Sequence, residues 1–590
     1  MKNISLLILA LLVVLTGACT KKTDLNEQVL NLTVTARVKG MDPIYASDLY
    51  SGNEVARVYE GLLEYHYLKR PYTLQPNLAE ALPTVSKDGL TYTFKIKKGI
   101  KFADSEAFPG GKGKELTAQD FVYSMKRMAD PKLQSTGWWL IDGKIVGLNE
   151  WRKANETAKA VDYKAKVEGL VALDKYTLQF KLVKPFPQFL YALAMPFTYA
   201  VAKEVVEKYG KEFLNYPVGT GPFMLKGGKF NANANKFVYI KNPNFRNKYY
   251  PSEGAEGDKT KGLLSDAGKK LPLVDTLVVN VMEQDQTRWL NFQKGKLDYI
   301  SIPKDNFETA VTPDNGLTDD LSKKGIVLEI TPGLDVTYIA FNHEDPLFKE
   351  NVALRRAMSL AYDAEESNKL FYSSRAFPAQ SIVPPGIAGN VPSYKNPYGS
   401  FNIEKAKALL KEAGFEGGKG LPEIVYETTA TTTSRQMADF FKKKMSVIGI
   451  NIKVSTNTWP QLLKKVNTKQ AQMFGMAWGA DYPDAENFLQ LLYGANSAPG
   501  SNGSNYKNSE FDRLFKIASV MQDTPERTAL YEKLNRIAAE LVPWIYGVHR
   551  MSFVIKNGWL KNFKYTEFSH GQAQYLTSDL KAKAELIKKM

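Results

Sequence analysis

The sequence predicts an α/β protein with more than one domain. Segments in which apolar and polar residues alternate are separated by segments with helical periodicity, and strands separated by helices are typical of α/β units. The chain has 590 residues, of which 44% are hydrophobic and 12% aromatic, as in a globular protein. A chain of this length exceeds what one hydrophobic core supports, so two or three domains are expected.

The predicted strands are the segments with a side-chain period of two. After a turn at 87–89, Tyr92, Phe94 and Ile96 alternate with polar residues, so the segment 89–102 is expected to contain a half-buried strand. The same alternation is found in four further segments, at 176–182, 237–240, 277–281 and 450–454. The predicted strands are therefore spread over most of the chain.

The predicted helices lie between these strands and are bounded by capping residues. Asn402 is placed to cap a helix that stops at Gly414, and Ser434 is placed to cap a helix that stops at Gly449. The last residues, 579–590, have the composition of a surface helix. No internal repeat is present in the sequence.

The N-terminal residues have the pattern of an export signal that ends in a lipidation site. Lys2 precedes an apolar run at 4–15, which is too short to span a bilayer comfortably. The run leads into Leu15-Thr16-Gly17-Ala18-Cys19, the order of a lipoprotein signal, although a larger aliphatic residue is usual where Thr16 stands. An ordinary secretory signal with an incidental Cys19 is the alternative. More than one acyl chain on Cys19 would give durable anchoring.

The basic charge of the chain favours a membrane surface over nucleic acid as its electrostatic partner. The formal net charge is +16, but the lysines are scattered, as at 97–98 and 442–444, and no basic stripe is interleaved with aromatic residues. An exported chain of this charge is attracted to anionic lipid surfaces. Apart from the N-terminal run, no apolar segment approaches membrane-spanning length, so a soluble body is expected.

The residue types that catalysis or metal binding requires are scarce. Cys19 is the only cysteine, so no disulfide and no thiolate metal site is expected. None of the four histidines is paired with another at helical spacing, and no nucleophile elbow or phosphate-binding loop is found. The histidines are His66, His343, His549 and His570. We therefore expect a binding protein that is not an enzyme and has no cofactor and no metal.

One carboxylate stands at the end of an apolar segment, in FGMAWGADYPDAENFL at 474–489. Asp481 follows a predicted buried strand, and its residue type leaves open a helix cap, a catalytic acid, a metal ligand, a turn former before Tyr-Pro or a counter-ion. Asp484 opens the run AENFLQLL and is predicted to cap that helix. The scarcity of histidine and cysteine argues against metal binding and catalysis by Asp481.

Three further features have mainly structural interpretations. The turn at 219–222 is expected to lead into a strand without a ligand contact. Arg355 and Arg356 follow a helix start at Asn351 and are expected in surface or interlobe ion pairs, with a ligand carboxylate as the alternative. The segment 494–505 is expected to be either a loop beside the ligand or a flexible connection.

Eight motifs occur in order and cover essentially the whole chain after the export signal. They are EVARVYEGLLEY (54–65), PNLAEALPTVSKDGLTYTFKIKKGIKFAD (76–104), ELTAQDFVYSMKRMADP (115–131), VGTGPFMLK (218–226), YIKNPNFRN (239–247), YIAFNHEDPLFKENVALRRAMSLAYD (338–363), WGADYPDAENFL (478–489) and NYKNSEFDRLFKIA (505–518). Together they resemble the oligopeptide- and dipeptide-binding proteins of bacterial ABC transporters, extracellular solute-binding family 5. The Gly- and charge-rich segment 251–272 departs from the common pattern and is expected to be an excursion from the core.

The resemblance implies a two-lobed periplasmic-binding-protein fold, with a hinge and an additional α/β domain in the first lobe. The implied division is a signal peptide at 1–18, a lipidated tether at 19–30, a first segment of lobe I at 31–63, the additional domain at 64–190, a second segment of lobe I at 191–332, lobe II at 333–545, and a return to lobe I with a tail at 546–590. Members of the family close their lobes over the ligand.

The resemblance also assigns roles to the residues around Asp481. In the family, an Asp at this position pairs with the α-amino group of a peptide that is held as an extended strand. The strand before it implicates the main chain of Ala477 and Gly479, and Trp478 is expected either as a wall of the cleft or as core. The opposing contact stretch corresponds loosely to 42–50, without a single assigned residue.

The function implied by the resemblance is that of a substrate-binding lipoprotein of a peptide-importing ABC transporter. The expected partners are peptides, a permease heterodimer with its ATPase subunits, and the membrane through lipidated Cys19, but not nucleic acid. The expected location is the periplasm, and the expected state is a monomer. The alternatives are a non-peptide solute such as a metal chelate, oligosaccharide or opine, and a peptide-signal receptor without transport. The sequence does not define the length of the peptide.

Overall fold

The computed structural model describes residues 27–588, except residues 39, 47, 431, 458 and 569 and the side chains of 432, 459 and 460. The predicted signal peptide and Cys19 lie outside the described residues. No helix in the described part of the chain combines the length and the apolar character that a membrane span needs.

Four sheets contain most of the strands. The first has the order Val29–Val34, Thr276–Val281, Lys236–Lys241 and Phe223–Leu225, and its first two strands are parallel. The second is antiparallel and has the order Thr84–Val85, Thr91–Lys95, Thr177–Lys181 and Leu170–Asp174. The third has the order Tyr299–Ser301, Val548–Asn557 and Ile326–Pro332, with Ala376–Pro378 also paired to Val548–Asn557. The fourth has the order Ile452–Asn457, Ile424–Thr429, Met473–Gly479, Asp335–Phe341 and Trp544–Tyr546.

Two short hairpin-like pairs complete the strands of the described residues. They are Leu63–Tyr65 with Leu74–Pro76, and Leu560–Lys561 with Thr577–Ser578. Helices lie between the strands throughout. The α-helices are Leu49–Val58, Ala118–Ala129, Leu148–Glu156, Phe189–Ala192, Lys203–Tyr209, Asp285–Gln293, Phe307–Ala310, Asp319–Lys323, Pro346–Lys349, Val352–Ala361, Ala364–Tyr372, Ile403–Glu412, Thr432–Ser446, Trp459–Asn467, Glu486–Leu489, Ser509–Ala518, Pro525–Leu541 and Leu580–Ile587.

Short 3-10 helices connect several of these elements. They are Pro43–Tyr45, Pro109–Gly111, Trp138–Leu140, Pro196–Thr198, Gly210–Asn215, Lys304–Asn306, Glu416–Gly418, Gln490–Leu492, Gly494–Asn496 and Gln572–Tyr575. The five-stranded sheet is covered on one face by a cluster that includes Phe341, Phe441 and Met445. On its other face, Val336, Tyr338 and Phe488 belong to the largest cluster, which extends into the first two sheets.

Two chain connections join the third sheet to the five-stranded sheet. The strand Ile326–Pro332 leads through Gly333 and Leu334 into Asp335–Phe341, and Trp544–Tyr546 leads through Gly547 into Val548–Asn557. These connections divide the described chain into two parts, which we call the first part (27–332 and 548–588) and the second part (335–546).

Most of the predicted elements are confirmed, and one helix start is wrong. All five predicted strand segments contain strands of the structure. The Oδ1 of Asn402 accepts a hydrogen bond from the amide of Lys405 at 2.9 Å, which confirms its capping role. The second predicted cap is wrong, because the helix already begins at Thr432 and Ser434 lies inside it. Thr429 Oγ1 lies 2.7 Å from Ser434 Oγ, so the Ser434 hydroxyl bonds the preceding strand.

The segment 251–272 packs onto the first part of the molecule and is not a free excursion. The Leu263 and Leu271 side chains are buried with Tyr67 and Tyr250 in a separate apolar cluster. Asp258 is 2% exposed, and both of its carboxylate oxygens lie 2.7 Å from the ammonium of Lys564. This buried charge pair fixes the segment to the C-terminal return of the chain.

Candidate functional site

The candidate site lies along the outer edge of the strand Met473–Gly479. On one side this strand pairs along its whole length with Asp335–Phe341. On the other side it pairs with Ile424–Thr429 only at Met473 and Phe474. The edge is therefore unpaired from Gly475 to Gly479 within the described residues.

The register directs two main-chain units of this strand toward the unpaired side. Ala480 donates its amide hydrogen to the carbonyl oxygen of Leu334 at 2.8 Å, so 480 and 334 form a hydrogen-bonded pair. Successive pairs alternate in an antiparallel ladder, so Gly479 and Ala477 direct their N–H and C=O groups away from Asp335–Phe341. Both residues are exposed, and a Cβ built on Gly479 meets no atom within 4 Å. The two main-chain units named in the sequence prediction thus lie side by side on an open edge.

Asp481 lies at the end of this edge and is oriented by the side chain of Asn487. The amide nitrogen Nδ2 of Asn487 donates a hydrogen bond to Asp481 Oδ2 at 3.0 Å. The Oδ1 of Asn487 accepts hydrogen bonds from the main-chain amide of Asp481 and from the indole Nε1 of Trp478, both at 3.0 Å. Asn487 is 1% exposed, so its amide is a fixed support for both residues.

The Asp481 carboxylate has no cationic partner among the described residues. Its hydrogen bond from Asn487 is the one side-chain interaction that lowers its pKa, and burial outweighs it, so the pKa of Asp481 is raised above the usual value. A half-buried carboxylate without a counter-ion is costly for the free protein. The geometry and charge of this group suit a bound cation.

Trp478 is partly buried and packs against the large apolar cluster of the molecule. Because its indole N–H is directed to Asn487, the ring is held in place on the face of the sheet opposite to the side chain of Ala477. Trp478 therefore contributes both to the core and to the support of the site.

The capping prediction for Asp484 is wrong by one residue, because Ala485 stands at the N-cap of the helix Glu486–Leu489 and Asp484 precedes it. Asp484 Oδ1 accepts a hydrogen bond from the amide of Glu486 at 2.9 Å, at the start of the helix Glu486–Leu489. Its Oδ2 lies 2.7 Å from Nη2 of Arg527, and both side chains are 4% exposed. Asp484 is thus already neutralised, in contrast to Asp481.

A cavity of about 270 Å³ opens where the strands Ile424–Thr429 and Met473–Gly479 diverge. Its lining includes the unpaired edge at Gly475 and Ala477, together with four tyrosines and several threonine and serine side chains. Among the described residues that line it, Arg550 alone is charged, and its Nε is paired with Asp335. The cavity therefore gives the edge enclosed space beside Ala477, lined by both aromatic and hydroxyl side chains.

An aromatic contact joins the two parts of the molecule next to Asp481. The rings of Tyr191 and Tyr482 are stacked, with centroids 5.7 Å apart and an interplanar angle of 4°. Tyr191 also stacks on Tyr65, with a centroid distance of 6.3 Å. The residue that follows Asp481 is therefore in contact with the first part.

Two other regions singled out in the sequence have structural roles. Asp42, in the stretch loosely assigned to ligand contact, forms a two-pronged ion pair with Arg127, with oxygen–nitrogen distances of 3.0 and 2.8 Å. The expectation of an ion pair for Arg355 is wrong. Its guanidinium is buried and donates to the main-chain oxygens of Phe348, Leu541 and Val542.

The structure also shows the surroundings of the two remaining segments that the sequence singled out. The turn at 219–222 packs so tightly that a Cβ on Gly219 would lie 2.0 Å from the carbonyl oxygen of Val58. The segment 494–505 is held by the buried Asn505, whose amide donates to Asn342 Oδ1 at 3.0 Å. No group of three or more His, Cys, Asp or Glu side chains in the part of the chain described here is arranged to hold a metal.

The comparisons with known proteins agree with one another on the family. The model of the family "Bacterial extracellular solute-binding proteins, family 5 Middle" matches residues 73–500. The dipeptide-binding protein of Escherichia coli (strain K12) is 29% identical over 490 residues, which are 81% of each chain. Heme-binding protein A of Haemophilus influenzae is 27% identical over 569 residues, which are 94% of this chain and 93% of that protein.

A solved structure of a related protein has the same fold. The periplasmic binding protein DppA of Helicobacter pylori, in complex with the peptide STSA, is 26% identical and superposes with a TM-score of 0.65. The alignment covers 93% of this chain and 98% of that chain. The two-lobed α/β fold expected from the sequence is thereby confirmed.

Proposed function

The chain belongs to the bacterial extracellular solute-binding proteins of family 5, and on this premise we propose that it captures short peptides with a free α-amino group. The observation that carries the proposal is the half-buried carboxylate of Asp481, which has no cationic partner in the described part of the chain and stands at the end of an open strand edge. An ammonium group supplies the missing charge.

The open edge supplies the second half of the recognition. A peptide in extended conformation carries N–H and C=O groups at the spacing of a strand, so it pairs with the outward main-chain groups of Ala477 and Gly479. Trp478 forms a supporting wall. Recognition through the main chain does not depend on the side chains of the peptide, so we propose a broad range of sequences.

The ligands named for similar proteins are consistent with a peptide ligand for this chain, but they also include other solutes. The names of similar proteins include a dipeptide-binding protein, a glutathione-binding protein and a heme-binding protein. Asp481 favours ligands with a free ammonium, because a neutral sugar gains nothing from an unpaired carboxylate and desolvating that carboxylate is costly. For this reason we place peptides above the other solutes.

Delivery and location follow from the same proposal. We propose that the chain works in the cell envelope, on the periplasmic side, tethered by a lipid on Cys19, and passes its ligand to a permease with ATPase subunits. The division into lobe I, the additional domain at 64–190 and lobe II at 333–545 belongs to this proposal. The non-enzymatic character of the family supports a binding role without turnover.

Mass spectrometry of co-purified ligands tests the proposed cargo. The chain is produced without its first 19 residues, purified without refolding and denatured to release what it holds. We expect a series of short peptides with unrelated sequences and free α-amino groups. The Asp481→Asn variant, which keeps the shape of the side chain and removes its charge, is the matched control and should retain far less peptide. A single sugar, metal chelate or heme in the parent protein contradicts the proposal.

A further inference from the structure

A second groove, of about 950 Å³, runs along the outer edge of the strand Ile326–Pro332. Its walls come from the segment 251–272, from Arg70–Tyr72, from the C-terminal return at Phe563–Tyr565 and from Pro385–Gly386 of the second part. None of the four residues of the candidate site lines it. The groove is therefore separate from the proposed peptide site.

The strand that borders this groove has an unpaired edge. Ile326–Pro332 pairs with Val548–Asn557 on one side, and no strand of the described residues pairs with it on the other. Gly333 donates to the carbonyl oxygen of Arg550 at 2.7 Å, which fixes the alternation of the ladder. In that alternation, Leu328 and Ile330 direct their N–H and C=O groups toward the groove.

The opposite strand gives the same assignment independently. Ile302 donates its amide hydrogen to the carbonyl oxygen of Phe553 at 3.0 Å, so the main chain of Phe553 bonds the Tyr299–Ser301 side of the sheet. Phe553 is the register partner of Ile330, so these two residues do not bond each other. The amide of Ile330 therefore faces outward, and no other described residue accepts its hydrogen.

The charged side chains around the groove leave an excess of positive charge. Lys564 is neutralised by Asp258, and the ammonium of Lys556 lies 3.1 Å from a carboxylate oxygen of Glu329. The remaining lining cations, Arg70 and Lys261, form no salt bridge with a carboxylate of the described residues. The guanidinium of Arg70 is fixed in place, since it donates to the carbonyl oxygen of Tyr565 at 2.8 Å and lies 4.1 Å from the centroid of the Tyr72 ring.

We propose that this groove binds an acidic peptide in extended conformation, as a site distinct from the one at Asp481. The unpaired edge requires an extended main chain, because only a strand offers alternating N–H and C=O groups at the spacing of Leu328 and Ile330. The two unneutralised cations select acidic side chains on that strand. The proposal also gives the segment 251–272 a role, since Lys261 lies on it and Asp258 anchors it beside the groove.

A capped peptide separates this site from the first one. The probe is Ac-Glu-Val-Glu-Val-Glu-Val-NH2, which lacks the ammonium that Asp481 requires, and the protein is the chain from residue 20 to its C-terminus. In amide hydrogen exchange, the probe is expected to slow exchange at Leu328 and Ile330 more than at Val327 and Glu329, whose amides are already in the ladder. The proposal is overturned if the amides of Leu328 and Ile330 exchange at the same rates in millimolar probe as in its absence.

Variants test the edge and the charge separately. Ile330→Pro removes the outward donor without breaking a ladder bond, and its calorimetric affinity for the probe is expected to fall at least about threefold relative to Ile330→Val. Lys261→Glu is expected to lower the affinity for the probe. The same variant should bind a free tripeptide at the first site as tightly as the parent protein. Unaltered probe affinity in Ile330→Pro contradicts the proposal.

The Asp481→Ala variant identifies which site the probe occupies. Probe affinity is expected to equal that of the parent protein, since the capped peptide does not use Asp481. Loss of probe binding in this variant places the probe at the first site and refutes the second one, whereas the proposed function stands or falls with the free peptides alone.

Discussion

The side-chain amide of Asn487 holds the carboxylate of Asp481 through a 3.0 Å hydrogen bond, and the same amide accepts the main-chain hydrogen of Asp481. This two-point contact fixes the direction of a carboxylate that no described cation neutralises. Because the supporting amide is buried, the carboxylate is oriented before a ligand arrives.

Substitution of Asn487 tests this support through a pH profile. The hydrogen bond from Asn487 lowers the pKa of Asp481, against the larger raising effect of burial. In Asn487→Ala the pKa of Asp481 is expected to rise further. Peptide capture requires the ionised carboxylate, so affinity should be lost at a higher pH than in the parent protein as the solution is acidified. Calorimetry with one peptide between pH 4 and pH 8 measures the midpoint, which is the pH at which the association constant has fallen to half of its highest value.

A matched control separates orientation from folding in that experiment. Asn496 is also a partly buried amide, but its side chain donates to Gln490 and forms no hydrogen bond with Asp481. Asn496→Ala is expected to leave the midpoint where the parent has it. A midpoint that is the same in both variants and in the parent refutes the positioning role of Asn487.

The open edge is tested by two substitutions at one position. Gly479→Pro removes an outward N–H that takes no part in the ladder, whereas Gly479→Ala keeps it, and the structure has space for the added Cβ. We expect the alanine variant to bind peptides as the parent does and the proline variant to bind about 3- to 10-fold more weakly, the effect of one hydrogen bond. Fluorescence titration with a tripeptide measures both. Equal affinities would show that the main chain of Gly479 makes no contact.

The ion pair between Asp42 and Arg127 is expected to stabilise the fold without touching the ligand. Both side chains are 4% exposed, so removal of one partner leaves a buried charge uncompensated. In Asp42→Asn we expect a loss of about 3–5 kcal/mol in the free energy of unfolding, measured by urea denaturation. The double variant Asp42→Asn with Arg127→Met should recover part of that loss. Weaker peptide binding by a still folded Asp42→Asn protein would contradict this account.

Local patterns were sufficient to predict much of the fold. Alternating residues located the strands, and Asn402 marked a helix start because capping depends on residues three positions apart. The helix start at Ser434 was wrong because three threonines precede it in the sequence, and the helix already includes Thr432. The first residue of a helix is hard to predict where several similar residues are consecutive, because it depends on which of them forms a hydrogen bond with the preceding strand.

The support of the site was not predictable from local sequence. Asn487 is an uncharged residue inside an apolar helix run, and its contact with Asp481 depends on how the chain turns at Pro483. Asp42 and Arg127 are 85 positions apart, and Asp484 and Arg527 are 43 apart. Pairs of this kind are set by the packing of distant elements. The run WGAD was recognisable because a strand, its open edge and the carboxylate are consecutive.

The most direct test of the account is a cycle that combines Asp481→Asn with N-acetylation of one peptide. In the parent protein, acetylation is expected to cost about 1.5–3 kcal/mol, roughly 10- to 150-fold in Kd, because it removes the ammonium that pairs with Asp481. In Asp481→Asn the acetylated and free peptides should bind with nearly equal Kd. An acetylated peptide that binds the parent as tightly as the free peptide, or an unchanged penalty in the variant, would contradict the account.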